Sequence, residues 1–238
     1  MMNYLTPKFL IKIDTILQPL VILILAAMFP LALYFALINS PVDYQQGEMV
    51  RIMYIHVPSA WMSLSIYTFI AFCSISSLVW RNRLSYIMAI SIAPVGAVFA
   101  FITLVTGSLW GKPIWGAWWV WDARLTSMLV LFLQYVTYIT IINSDRNILK
   151  AEKPASAIAI IGLINIPIVK FSVNIWYSLH QPASVFRAGG SSIHASMMKP
   201  LLMMFFCFIL YSLLLLLIRT KTILNQQKYK KKHDICCN

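Results

Sequence analysis

Five tryptophans crowd twelve positions between Trp110 and Trp121, in the run WGKPIWGAWWVWDARLTS, and Asp122 and Arg124 follow directly. Tryptophan is large and carries an N–H that needs a partner when buried, so no ordinary core calls for this density. Trp110, Trp115, Trp118, Trp119 and Trp121 beside a carboxylate and a guanidinium read as a platform for a flat apolar ligand with a charged edge. Two histidines lie far from it in sequence, His56 in MYIHVPSAW and His180 in NIWYSLHQP. A neutral imidazole offers a ring nitrogen that ligates metals well. Whether these groups meet depends on the elements that carry them.

Those elements are membrane spans. Sixty per cent of the residues are apolar and eleven per cent are charged, against roughly a quarter charged in soluble domains. The apolar residues fall in blocks near the ~20 residues that cross a hydrocarbon core as helix. The sequence predicts an all-α polytopic bundle of six spans, at about 19–38, 53–79, 86–107, 125–143, 156–179 and 200–218. A tryptophan-rich loop over 108–124 joins the third to the fourth, and 219–238 reads as a disordered basic tail. Pro58 suits a first helical turn, which puts His56 at or just before the start of the second span. Asp122 is positioned to cap the fourth. The first apolar block is long enough to be a retained span rather than a cleaved leader.

The net charge of +12 is not a nucleic-acid signature, because the basic residues sit in short loops and the tail, where they set topology. The lead, the 81–83 turn, the 146–153 turn and the tail hold thirteen of the nineteen lysines and arginines. That bias predicts both termini on the cytoplasmic or matrix side. By parity the tryptophan loop, His56 at the start of span two and His180 at the end of span five then share the outer side. Two histidines facing each other there could clamp haem iron from opposite faces. Arg51, Lys112, Arg124 or Arg187 could meet its propionates, arginine having the better fork for a carboxylate.

Plainer readings compete. Tryptophans gather at membrane interfaces without binding anything, and a histidine near a helix end often only caps it. His194 is outside too, in a glycine–serine loop with nothing to hold its ring. His233 belongs to the inner tail. Trp176, four before His180, and Trp61, near His56, are candidate pocket walls. Lys170 either snorkels or faces the cavity. The four cysteines form no C-x-x-C-H haem-attachment site, and no nucleotide-binding glycine motif is present.

The tryptophan run, MYIHVPSAW and NIWYSLHQP together resemble the CcmC family of cytochrome c maturation, and the run resembles the WWD signature of the wider haem-handling superfamily. The likeness covers all six spans. It implies that His56 and His180 are external axial ligands of haem b, and that Trp115, Trp118, Trp119, Trp121 and Asp122, with Arg124 beside them, form the haem and chaperone surface. It further implies presentation of haem to the chaperone CcmE rather than enzymatic turnover. CcmD and the ABC components CcmA and CcmB are the implied neighbours, in a bacterial or mitochondrial inner membrane. The rival expectations are a haem-exporting permease and a membrane b-type cytochrome; the latter would carry histidines at mid-span, and none is there.

Overall fold

The computed structural model describes the backbone of residues 7–145, 147–181, 184–185 and 190–236, with side chains between 15 and 229. It is a helical bundle: α1 (Pro7–Leu37), a 3-10 turn (Glu48–Ile52), α2 (Met53–Trp80), α3 (Arg83–Trp115), α4 (Ala123–Asn143), α5 (Glu152–Gly162), α6 (Asn165–Ile175) and α7 (Ala195–Cys236). Among the described residues six stretches are long and apolar enough to cross a membrane, with α5 and α6 together making the fifth. The chain is therefore a polytopic helical membrane protein.

The centre is the α2–α3 pair. Two-thirds (67%) of the apolar window of α3 is buried, whereas only 17% of that of α1 is, so α3 is the axis and α1 faces lipid. α1 packs on α7, α4 on α3 and α6, and α5 on α2. Without a hydrophobic drive between helices in lipid, packing and interhelical hydrogen bonds must do the joining. Buried tyrosines supply both. Tyr135 on α4 donates to Ser63 O on α2 at 2.7 Å, and Tyr86 on α3 donates to Ile148 O beyond α4 at 2.8 Å. Gly96 on α3 and Gly162 at the end of α5 leave room for the Tyr135 and Tyr67 rings, which a Cβ at either position would strike.

Four sequence expectations change. The lead is helical from Pro7 onward, and α1 carries Pro19 and Pro30 inside it. Pro58 lies in the second turn of α2 rather than the first, and His56 is in the first turn, at the start of the span as one of the two sequence readings has it. Span five is broken at Leu163–Ile164 and ends at Ile175, short of 179. Pro167 lacks the N–H that would bond to Leu163 O, and its ring opposes continuation through that turn; Asn165 secures the break by donating to Ser127 O at 2.9 Å. The stretch read as a disordered tail continues α7 to Cys236. Lysine and glutamine are good helix formers, and Arg219 anchors this part by donating to Ser91 O at 2.8 Å.

Gly96→Ala should overpack the α3–α4 contact and lower stability by about 1–3 kcal/mol. A reduced unfolding midpoint in detergent is the expected result, and an unchanged midpoint would show that Tyr135 has room to move.

Candidate functional site at one end of the bundle

At the α2 start, α3 end and α4 start the chain brings two imidazoles together. The His56 and His180 ring centroids are 6.4 Å apart, with planes tilted by 32°. His56 is buried, and its backbone is fixed by α2. Its Nδ1 lies 3.0 Å from Thr106 Oγ1, and the Thr106 hydroxyl already donates to Ile102 O at 2.6 Å. Thr106 must therefore accept, which puts the proton on Nδ1 and leaves Nε2 with a free lone pair. Gly107 sits beneath the ring: a Cβ there would come within 3.0 Å of His56 Cε1.

His180 has no helix under it. Its backbone N–H donates to Ser178 Oγ at 3.1 Å, and the Ser178 hydroxyl donates to Asp122 Oδ2. Asp122 Oδ1 meanwhile accepts from Leu125 N at 2.7 Å and caps α4. One carboxylate thus starts a helix and ties down the segment that bears the second histidine. His180 Nδ1 is 2.9 Å from Gln181 O and 3.2 Å from Arg124 Nη1. A carbonyl only accepts and a guanidinium only donates, so this nitrogen satisfies one at a time. With the proton on Nδ1, His180 donates to Gln181 O and, like His56, keeps Nε2 open. Arg124 then holds Lys170 O at 3.1 Å and has spare donors, its buried Nε among them.

The tryptophans divide. Trp110 stands edge-on to His56 at 5.7 Å, held by donation from Nε1 to Gln46 Oε1 at 2.9 Å. Trp115 lies against His180 at 6.2 Å and rests over Gly111, where a Cβ would meet its ring at 2.9 Å. Gly116, with φ of 77°, then closes α3 and turns the chain into the loop. Among the described residues no ring contact joins Trp118, Trp119 or Trp121 to either histidine. Trp119 packs edge-on to Trp121 at 5.6 Å with a buried, unpartnered Nε1, while Trp118 and Trp121 are 56% and 77% exposed.

Other candidates fall away. Trp176 leaves the helix in extended backbone and is half exposed, so it shares no helical face with His180. Trp61 packs on Phe205. Arg51 pairs with Glu48 at 2.6 Å and donates to Leu37 O and Ile38 O, and Lys112 donates to Gly116 O. Lys170 lies over the Phe171 ring. The exposed His194 does have something to hold its ring, the Ser196 hydroxyl at 2.7 Å, at the start of α7. Arg187 lies outside the described residues, and the side chain of His233 lies outside the described side chains. Sequence reasoning missed Thr106, Ser178 and the ring-bearing glycines; the G-x-x-x-G spacing of Gly107 and Gly111 was the available signal.

Two imidazoles sharing one metal through facing nitrogens at roughly 2 Å each bring their centroids to about 6 Å, which matches the pair. Among the described residues no third metal-ligating side chain joins them. A metal held here needs equatorial donors of its own, as a porphyrin provides, and the spare donors of Arg124 suit an acidic edge.

Fold and site define a six-span membrane protein with a paired-histidine, tryptophan-flanked site at one end. The family model described as CcmC, heme exporter protein C, matches residues 1–234, and the chain belongs to that family. A heme exporter protein C of Bradyrhizobium diazoefficiens is 49% identical over 164 residues, covering 69% of this chain and 62% of that relative, so the match spans less than two-thirds of the relative's length. A ccmC-like mitochondrial protein of cytochrome c biosynthesis in Marchantia polymorpha is 47% identical over 173 residues, covering 73% of each chain. The heme exporter protein C of Haemophilus influenzae is 40% identical over 202 residues, covering 84% of this chain and 81% of its own.

Burial first, and the Arg124 charge second, lower the pKa of His180 below its ordinary 6.5. The unfolded chain therefore binds the proton more readily, so stability present above about pH 6.5 should be lost as pH falls through the folded value. Arg124→Gln should raise the His180 titration seen by ring NMR. A midpoint unchanged by the substitution would remove Arg124 from the cause.

Proposed function

We propose that the chain binds haem b at the outer membrane face, with His56 and His180 on opposite sides of the iron, and presents it to a CcmE-type chaperone for cytochrome c maturation. The paired imidazoles, both able to keep Nε2 open and with no third protein ligand beside them among the described residues, carry this reading. The names of the relatives support it. Trp110 and Trp115 brace the pair, Arg124 meets a propionate, and the exposed Trp118 and Trp121 meet the chaperone. The chain acts as a carrier, not a catalyst; bond formation belongs to the chaperone. CcmD, CcmA and CcmB are its proposed neighbours, and both termini face the cytoplasm or matrix. The relatives' name, heme exporter, favours a second reading, export across the bilayer, which uptake by sealed vesicles would separate from handover at one face.

The test is the visible spectrum and haem affinity of the purified full-length chain. His56→Ala and His180→Ala should each abolish the low-spin spectrum, whereas His194→Ala should leave it unchanged. Thr106→Val removes the acceptor that fixes the His56 tautomer and should weaken haem binding by about 10–100-fold, as lost outer partners of metal ligands do. Wild-type spectra in both His56 and His180 variants would reject the ligand pair.

A further inference from the structure

At the opposite end of the bundle, where α3 begins and α4 ends, lies a cavity of about 530 Å³. Arg83, Arg219, Gln227, Asn143 and Asn147 line its polar part. No carboxylate lines it, and among the described residues neither arginine is paired with one. Arg83 donates to Gln227 Oε1 at 2.5 Å, which turns the Gln227 amide nitrogen the other way, where it is buried without a partner. Arg219 spends its Nε on Ser91 O. The polar part is thus rich in donors and cationic. The rest of the wall is apolar, with Ile90 and Pro94 on α3, Ile139 on α4 and Ile223 on α7.

We infer that this cavity binds an anionic phospholipid, its phosphate between Arg83 and Arg219 and the start of an acyl chain against the isoleucines. Three features select that ligand. Guanidinium forks match phosphate oxygens. Apolar walls continuous with the spans suit a chain that stays in the bilayer. The lysine and arginine bias assigns this end to the inner leaflet, where basic pockets between spans bind anionic headgroups. Haem would need an iron ligand, and the lining supplies no histidine, cysteine, methionine or tyrosine. The site is separate from the histidine pair, and the inference rests on the proposed function only for the orientation of the termini.

The full-length chain in neutral detergent should gain thermal stability saturably with phosphatidylglycerol, and not with phosphatidylcholine or inorganic phosphate. Arg83→Gln with Arg219→Gln should weaken that response about 30-fold, at about tenfold per 1.4 kcal/mol and roughly 1 kcal/mol per basic residue. Asn147→Asp keeps an acceptor for the Leu149 N–H it now bonds at 3.1 Å and adds only negative charge; it should weaken binding without lowering the lipid-free midpoint. A phosphatidylglycerol response retained in both variants would overturn the proposal. So would an equal response to phosphatidylcholine, or one reproduced by inorganic phosphate alone.

Discussion

The histidine end of this protein depends on holding an imidazole still where there is no helix to hold it. His56 rides on α2 and inherits its rigidity. His180 follows the end of α6 on irregular backbone, whose polar groups need partners near a bilayer. Asp122 meets that need at one remove: it caps α4 and accepts from Ser178, which in turn accepts from the His180 backbone. A cap is worth about 1 kcal/mol, a modest sum for a helix this well packed. The value of Asp122 here is positional, because it puts the start of α4, the tryptophan loop and the second histidine on one anchor.

Close approach is the other requirement. Gly107 and Gly111 give α3 a flat strip on which the His56 and Trp115 rings lie, while Thr106 on the same turn fixes the tautomer of His56. Tautomer and position are thus set by one short stretch of α3. Arg124 differs in kind: its donors are incompletely used and its charge opposes protonation of His180. Spare guanidinium donors beside the histidine pair suit a ligand that carries its own carboxylates.

The architecture was legible because membrane spans announce themselves by length and composition, and the parity of six spans already put His56, His180 and the tryptophan loop at one end. The sequence could not say that the rings would lie 6.4 Å apart. Neither could it divide the tryptophans, since belt, wall and exposed residues have the same composition; Trp110 stands against His56, whereas Trp118 and Trp121 are exposed. The break at Leu163–Ile164 was hidden inside an apolar block whose hydropathy does not change, and only Asn165 and Pro167 marked it. The helical continuation of α7 is not evident from its basic composition, although the Lys, Gln, Arg and Leu residues in it favour helix.

The most direct test is to locate the iron. A map of the haem-loaded protein, with iron placed by its anomalous scattering, should show one metal between His56 and His180, bonded to the Nε2 of each. Iron bound by one of these histidines alone, or lying away from both, would contradict the account.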